Sequence, residues 1–388
     1  MNKINEINIM RVLMNIRFNE GISRADLARE LGLVKSTVTK IVTLLLERNI
    51  VRVAAEGKSE NAMGRKPLNL VINGDFGYIL GLEIQTEFFA AAAVNLRGEV
   101  LFSRKEPLSM AGKDIDVVFF EVMDILKVQL EAIPLRLLGI GLGVAGIIDP
   151  NRGVIQQSNP LNITEPVHFN RRIKGRIGVP VQIENDAKCC SWGELAFNKA
   201  GKYENFLYVM GEFRRGEKQN ADYWGIAIGM ALVLNGKVYY GNSGSAGEFQ
   251  SLSWRPGNNG QFSLTNEEAR HIQEDRQLML RALRELSAHA ALFVNTLNLS
   301  AVIFGGEITE YKDDIKSILE EEIQKNWSYS NKVECAVEFS SMGDKVVAFG
   351  AAGMFLESIC SIPDVVEKPG PKRATHARVL LRDPDPLV

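Results

Sequence analysis

The first fifty residues carry apolar side chains at the spacing of amphipathic helices. Residues 6–17 predict one helix, whose apolar positions are Ile9, Val12, Leu13 and Ile16. A second helix is expected to begin after Ser23, which has capping-box spacing with Asp26, and to end at Gly32, which adopts a positive φ at little cost. A third helix is predicted from Val38, Ile41, Val42 and Leu45. Three short helices around a small core are therefore expected.

The opposite face of the third predicted helix is polar. It carries two lysines and three short hydroxyl side chains, namely Lys35, Ser36, Thr37, Thr39 and Lys40. Two helices joined by a tight glycine turn form a helix-turn-helix, whose second helix enters the major groove of DNA. Ser and Thr reach base edges or phosphates there, and Lys reaches phosphates. We predict that these five residues contact double-stranded DNA.

Residues 50–72 predict two short strands around a polar loop, which is the pattern of a wing. In this loop, Arg65 and Lys66 are expected to contact a minor groove or the DNA backbone. Residues 1–72 contain 12 Lys and Arg against 7 Asp and Glu, whereas the whole chain has a net charge of −2. This local excess of positive charge favours nucleic-acid binding. The alternative is a small helical bundle whose polar face is only solvated.

From residue 77 onward, apolar strands alternate with amphipathic helices. Residues 78–108 predict three strands joined by turns, and residues 114–132 predict a helix. A further strand ends at Asn185 and Asp186, residues 267–298 predict a long helical region, and a helix closes the pattern near residue 360. Such alternation predicts an α/β body with ligand sites at the ends of strands.

The overall sequence indicates in which cellular compartment the protein is expected. The N-terminus lacks the hydrophobic core of a signal peptide, and no apolar run reaches membrane-spanning length. Four cysteines are too few and too scattered for a disulfide framework. We therefore expect a cytoplasmic protein without a membrane partner.

The sequence resembles the repressors of the ROK family, a group that joins sugar kinases and sugar-responsive repressors. The resemblance covers residues 5–360 and is carried by SRADLARELGLVKSTV, GRKPLNLVIN, LGIGLGVAGIIDP, IENDAKCCSWGE, LVLNGKVYYGNSGSAGE and VIFGGEI. It implies the α/β fold class, with an N-terminal winged helix-turn-helix followed by a two-lobed actin/hexokinase-like (ASKHA) ROK domain that holds a sugar cleft between its lobes.

The resemblance also suggests where the parts of the chain begin and end. We place the winged helix-turn-helix at 1–73, the first lobe at 74–182, the second lobe at 183–342 and a closing helix that returns to the first lobe at 343–362. The remaining residues, 363–388, are rich in Pro and charge and are expected to be poorly ordered.

The phosphate-binding motifs of the family's kinases are altered here. Where those kinases have D-x-G-G-T, residues 83–87 read EIQTE, so both glycines are missing and Glu87 adds negative charge. The second glycine loop corresponds to AIGMA at residues 227–231, and Met230 is expected to obstruct it. Without glycines the backbone amides cannot approach phosphates closely. We therefore predict weak ATP binding, no cofactor and no catalytic residue.

The sugar-binding residues implied by the resemblance are better retained. They are Asn162, Asn185, Asp186 and Glu248. In the family's kinases the aspartate is the general base, so Asp186 would take that role if this chain were a kinase. An alternative role for Asp186 is to cap the helix that begins at Ala187.

One departure concerns a structural zinc site. Many family members have a His and a cysteine-rich loop after the AGE motif, but here Ser251 replaces the His and residues 252–262 contain no cysteine. A structural zinc ion needs thiolate or imidazole ligands. The nearest imidazole, His271, is expected to be solvated, so we predict no metal.

Three functional hypotheses remain open. The leading one is a sugar-responsive transcriptional repressor that binds a palindromic operator as a homodimer or tetramer, with a small sugar between its lobes as effector. The second is an ATP-dependent sugar kinase that retains the DNA-binding head. The third is a DNA-binding protein whose body only dimerises and binds no ligand.

Overall fold

The computed structural model describes residues 3–54, 69–197, 203–215, 224–360 and 377–381. The N-terminal part, called the head below, is a winged helix-turn-helix. Its elements are α1 (Lys3–Phe18), α2 (Arg24–Leu31), α3 (Lys35–Glu47), β1 (Val51–Val53) and β2 (Leu70–Ile72). The side chain of Ser23 accepts a hydrogen bond from Asp26 N, and Gly32 ends α2 at a φ of 62°. Both predicted ends of this helix are confirmed.

The core of the head forms as the apolar spacing predicts. Four residues of α1 and four of α3 are buried, namely Ile9, Val12, Leu13, Ile16, Val38, Ile41, Val42 and Leu45. Strands β1 and β2 pair antiparallel, with Arg52 opposite Val71. The loop between them, with Arg65 and Lys66, lies outside the described residues.

The first sheet of the body has the strand order β5-β4-β3-β6-β9. Its strands are β3 (Tyr78–Ile84), β4 (Phe88–Asn95), β5 (Val100–Pro107), β6 (Leu137–Val144) and β9 (Val181–Asn185), and the segments between β5 and β9 include α4 (Ile115–Glu131), β7 (Ile147–Asp149), β8 (Val154–Gln157) and α5 (Phe169–Ile173). Strands β3, β4 and β5 are antiparallel neighbours, whereas β3, β6 and β9 run parallel. The three strands and the helix predicted from the sequence are confirmed.

The second sheet has the strand order β12-β11-β10-β13-β14. After α6 (Asp186–Phe197) come β10 (Phe206–Arg215), β11 (Trp224–Leu234), β12 (Lys237–Val238), α7 (Asn266–Arg270), α8 (Arg276–Leu297), β13 (Ala301–Gly305), α9 (Lys312–Lys325) and β14 (Ala336–Phe339). The predicted long helical region is divided, because Asp275 accepts hydrogen bonds from Gln277 N and Leu278 N and starts a new helix.

Helix α10 (Val346–Cys360) packs against the first sheet and against α6 with backbone contact. A Cβ atom on Gly81 of β3 would lie 1.9 Å from Ala348 O, and one on Gly350 would lie 1.9 Å from Cys189 O. Only glycine permits these approaches. The two helices and the first sheet are therefore tightly interlocked.

Two of the boundaries drawn from the sequence need correction. Strand β9 belongs to the first sheet, so a boundary after residue 182 would divide it. Within the segment 363–388, helix α11 (Ala377–Leu381) is formed, and Leu380 is 1% exposed in the core shared with the head. Burial of this apolar side chain explains why these five residues are ordered. The rest of the segment lies outside the described residues.

The head is joined to the body by a continuous core and by one buried ion pair. Residues of α1 and α3 pack in one cluster with Leu138, Phe355 and Leu356 of the body. Arg17 of α1 forms an ion pair with Glu357 of α10 at 2.5 Å, and its second Nη atom donates to Ala196 O of α6 at 3.1 Å. In the described part of the chain, no helix is long and apolar enough to cross a membrane.

Candidate functional site

The candidate DNA-binding face is the exposed side of α3. Lys35, Ser36, Thr39 and Lys40 are exposed, whereas Thr37 is half-buried beside Val38. The apolar side of α3 is held in the core of the head, so its polar side faces solvent. This surface can lie against a groove without disturbing the fold, which is what contact with base edges and phosphates requires.

The candidate sugar site is centred on the junction of β9 and α6. Asn185 Oδ1 accepts from Lys188 N at 3.0 Å, and Asn185 Nδ2 donates to Gly146 O at 3.1 Å. Asn185 therefore caps α6 and fixes it to the loop after β6. Gly146 is required there, because a Cβ atom would lie 2.3 Å from Gln157 O and its φ is 124°.

Asp186 is held by hydrogen bonds to one carboxylate oxygen. Its Oδ1 accepts from Ala187 N at 2.8 Å and from Asn185 Nδ2 at 3.0 Å. Because both bonds end on Oδ1, Oδ2 can accept a hydrogen bond from a ligand hydroxyl. The capping of α6 belongs to Asn185, and Asp186 adds a bond to the first amide. Burial raises the pKa of Asp186, and the charges of Arg214 and Lys188 oppose that rise.

Glu248 approaches the same site from the second lobe through Gly229 of β11. Gly229 and Glu248 form an antiparallel bridge, and a Cβ atom on Gly229 would lie 3.0 Å from the Ala187 Cβ and 3.8 Å from Asp186 Oδ1. Glu248 is exposed as a residue, yet partial burial of its carboxyl raises the pKa of that group. The charge of Lys188 lowers this pKa, and the charge of Asp186 raises it. The structure therefore brings Asp186 and Glu248 close together across β11.

Asn162 is not brought into this cluster by any described contact. It is exposed at a φ of 53°, in a turn whose flanking residues Ser158 and Ile163 pair with each other. No hydrogen bond between Asn162 and Asp186 or Glu248 is present among the described residues. This geometry is that of an ordinary Asn turn.

Residues 83–88 form a closed hairpin turn with a buried carboxyl. Gln85 N donates to Phe88 O, and Gln85 Nε2 donates to Glu83 Oε1 at 3.1 Å. Burial raises the pKa of Glu83 to about 8, and the nearby charges of Glu212 and Asp186 add to the rise. Burial, with the charge of Glu307, raises the pKa of Glu212 to about 7. Carboxyl groups from the first and the second sheet therefore lie near one another here.

The expectation for Met230 is wrong. Met230 is 3% exposed and packs in the core of the second lobe with Leu207 and Phe249, so it does not project into the glycine loop. Alternation along β11 explains this, since neighbouring residues of a strand point to opposite faces. The residue that faces α6 is Gly229.

A polar network holds the loop that follows Glu248. Glu285 of α8 accepts from Ser251 Oγ at 2.8 Å and from Ser263 N at 3.0 Å, and His289 Nε2 accepts from Leu252 N at 3.0 Å. His271 is exposed between Glu267 and Glu274. No group of three or more potential metal ligands lies together within the described ranges.

The sequence did not point to several of these residues. Gln261 binds Ile228 N, Ile228 O and Phe249 O through its side chain, and thus fixes the loop behind Gly229 and Glu248. Glu285, His289 and Lys188 also went unassigned. A lone Gln, Glu, Lys or His has no spacing pattern, so nothing in the sequence separates these residues from surface ones.

Comparison with known proteins agrees with this architecture. Residues 79–250 match the ROK family, and residues 10–59 match the MarR family. The xylose repressor of Bacillus spizizenii is 25% identical over 392 residues, which span 92% of this chain and 97% of that protein.

Two solved structures share the fold. A ROK family transcriptional regulator, described as a homologue of the E. coli MLC protein, superposes with a TM-score of 0.72 at 19% identity, over 92% of this chain and 97% of its own. A ROK family glucokinase from Streptomyces griseus, in complex with glucose and AMPPNP, gives a TM-score of 0.55 at 18% identity, over 72% of this chain and 99% of its own. The first match covers a larger share of this chain than the second. The head thus contains the residues that match the MarR family, and the body contains the residues that match the ROK family.

Proposed function

We propose that this protein is a cytoplasmic, sugar-responsive transcriptional repressor. The observation that carries the proposal is that one helix, α6, begins at the candidate sugar site and contacts the head near its other end. Asn185 and Asp186 lie at its beginning, and Ala196 O near its end accepts a hydrogen bond from Arg17 of the head. A xylose repressor is similar to the chain along nearly its whole length, which supports a pentose or related small sugar as effector.

The same contacts offer a route for the sugar to act on DNA binding. A sugar held by Asp186 and Glu248 would favour one arrangement of the two lobes. Because α6 and α10 are interlocked and Arg17 binds both, a shift of α6 would reach the head. A ligand changes an equilibrium only through different affinities for its two states, so sugar must bind one lobe arrangement more tightly.

We infer that DNA is bound by a homodimer or tetramer. Two recognition helices in successive major grooves would read a palindromic operator. Lys35, Ser36, Thr37, Thr39 and Lys40 supply the contacts in this arrangement, and Arg65 and Lys66 supply those of the wing.

Kinase activity is less well supported than sugar sensing. Asp186 would be the base if this chain were a kinase, and a glucokinase shares the fold. Binding of ATP as the phosphoryl donor is what lacks support, since residues 83–87 lack both glycines and Glu83 is buried beside Gln85. We therefore propose no enzymatic activity, and ADP release with a panel of hexoses and pentoses should stay far below roughly 1 per second.

A sugar panel in thermal unfolding tests the ligand site. A sugar that binds only the native protein stabilises it by about 2.7 kcal/mol at a concentration one hundred times its Kd. The Asp186→Asn variant should lose this stabilisation at matched concentration, because the acceptor carboxylate is gone. Asp124→Asn, which alters an exposed carboxylate of α4, is the control. If no sugar raises the Tm of the wild type, the interpretation as a ligand-blind DNA-binding protein is favoured.

The Lys40→Ala variant tests the docking of α3 on DNA. Loss of one phosphate contact should weaken binding to all duplexes alike and should lower the slope of log Kd against log salt by about 1. Fluorescence anisotropy between 50 and 200 mM salt would measure it, with Lys127→Ala on the exposed face of α4 as the control. A salt slope equal to that of the wild type would place Lys40 away from the DNA.

A further inference from the structure

Lys188 is a buried lysine in the first turn of α6, beside the candidate sugar site. The residue is only 2% exposed and is among the largest fully buried side chains of the described chain. Its backbone N donates to Asn185 Oδ1 at 3.0 Å, so the residue is fixed two positions after Asp186 by the cap of the helix. Lysine is rarely buried to this degree without a partner.

The ammonium group of Lys188 has no hydrogen bond or ion pair with another residue in the described part of the chain. Burying a charged group without compensation is costly, so a buried ammonium normally has acceptors close by. Its surroundings show which groups are near. The charge of Lys188 lowers the pKa of Asp186 and of Glu248, which are the two carboxyls of the candidate site.

The two carboxyls on which the charge of Lys188 acts come from different parts of the chain. Asp186 comes from the same helix, and Glu248 comes from the second lobe through its bridge to Gly229. Lys188 is thus a third charged group beside Asp186 and Glu248. It offers three donors, whereas the two carboxylates offer acceptors only. Vicinal hydroxyls of a sugar need both kinds of group.

We propose that Lys188 is a third ligand-contacting residue of this site and donates a hydrogen bond to an oxygen of a neutral, polyhydroxylated ligand held by Asp186 and Glu248. This inference rests on the proposed function of the cleft. It also specifies which ligands the site selects, namely those that carry an acceptor oxygen next to the hydroxyls that the carboxylates bind. A ligand that lacks this oxygen leaves the ammonium without a partner.

The Lys188→Met variant tests the proposal by calorimetric titration with hexoses, pentoses and their monodeoxy analogues. Hydrogen bonds to charged groups are worth a factor of about 10 to 100 in affinity, so the variant should bind the preferred sugar that much more weakly. One monodeoxy analogue should bind the wild type and the variant equally, because it lacks the oxygen that Lys188 contacts. Lys237→Met, at an exposed position of the same lobe, is the control for loss of charge.

The outcomes distinguish a failure of the proposed role of Lys188 from a failure of the proposed function. The variant should fold, since removing an unpaired buried charge does not destabilise a protein, and its Tm without sugar should equal or exceed that of the wild type. Equal affinity of the wild type and Lys188→Met for every sugar would overturn the role of Lys188 alone. A wild type that binds no sugar in the panel would contradict the proposed function, and the role of Lys188 with it.

Discussion

Replacing Arg17 with methionine should lower the free energy of unfolding by about 3–5 kcal/mol, the cost of leaving one member of a buried ion pair without its partner. The Arg17 and Glu357 side chains are only 9% and 15% exposed, so water cannot solvate the carboxylate that the change leaves without its partner. The same change removes the hydrogen bond to Ala196 O. Urea unfolding of the full chain measures the effect.

The double variant Arg17→Met, Glu357→Leu should recover most of this loss, because two apolar side chains leave no buried charge. Arg97→Met is the matched control. Arg97 also pairs with the head, at Glu20, but these side chains are 24% and 42% exposed. Exposed pairs are worth about 0–1 kcal/mol. An Arg17→Met variant no less stable than Arg97→Met would show that the buried pair does not fasten the head.

Replacing Glu83 with glutamine should stabilise the protein above neutral pH and have little effect near pH 5. The folded pKa of Glu83 is raised to about 8 by burial, from an ordinary value of 4.5. The folded state therefore holds the proton more tightly than the unfolded state, and the wild type loses stability as pH rises from about 4.5 to about 8. Glutamine stays neutral throughout and can still accept the hydrogen bond from Gln85.

Each unit of pKa shift corresponds to about 1.4 kcal/mol, so the advantage of Glu83→Gln should reach about 3–5 kcal/mol at pH 8.5. Denaturant unfolding at pH 5 and pH 8.5 measures it. Glu87→Gln changes an exposed carboxylate of the same hairpin and should give no such difference. Parallel pH profiles for Glu83→Gln and the wild type would mean that Glu83 is solvated.

The sequence predicted those features that depend on local spacing. The ends of α2 follow from Ser23 and Gly32, and the buried side of α3 follows from its apolar period. The junction at Asn185 and Asp186 was also predicted, because a polar pair directly after an apolar strand marks a strand end. The sheet order could be expected only through the resemblance to a known family.

The features that were missed depend on contacts between distant segments. Glu83, Glu212 and Glu307 belong to three separate parts of the chain, and nothing local indicates that their charges interact. Helix α11 is short, and its order comes from the burial of Leu380 rather than from its own propensity. Met230 was misplaced because a strand's register decides which residues face the cleft.

The central claim is that an occupied sugar cleft changes the affinity of the head for DNA. It is tested most directly by fluorescence anisotropy on a duplex that the protein selects from a random pool, titrated with the sugar that raises its Tm. We predict a change of about tenfold or more in Kd at saturating sugar, corresponding to about 1.4 kcal/mol of coupling, and no change for Asp186→Asn. A Kd that stays the same while sugar saturates the wild-type protein would contradict the account.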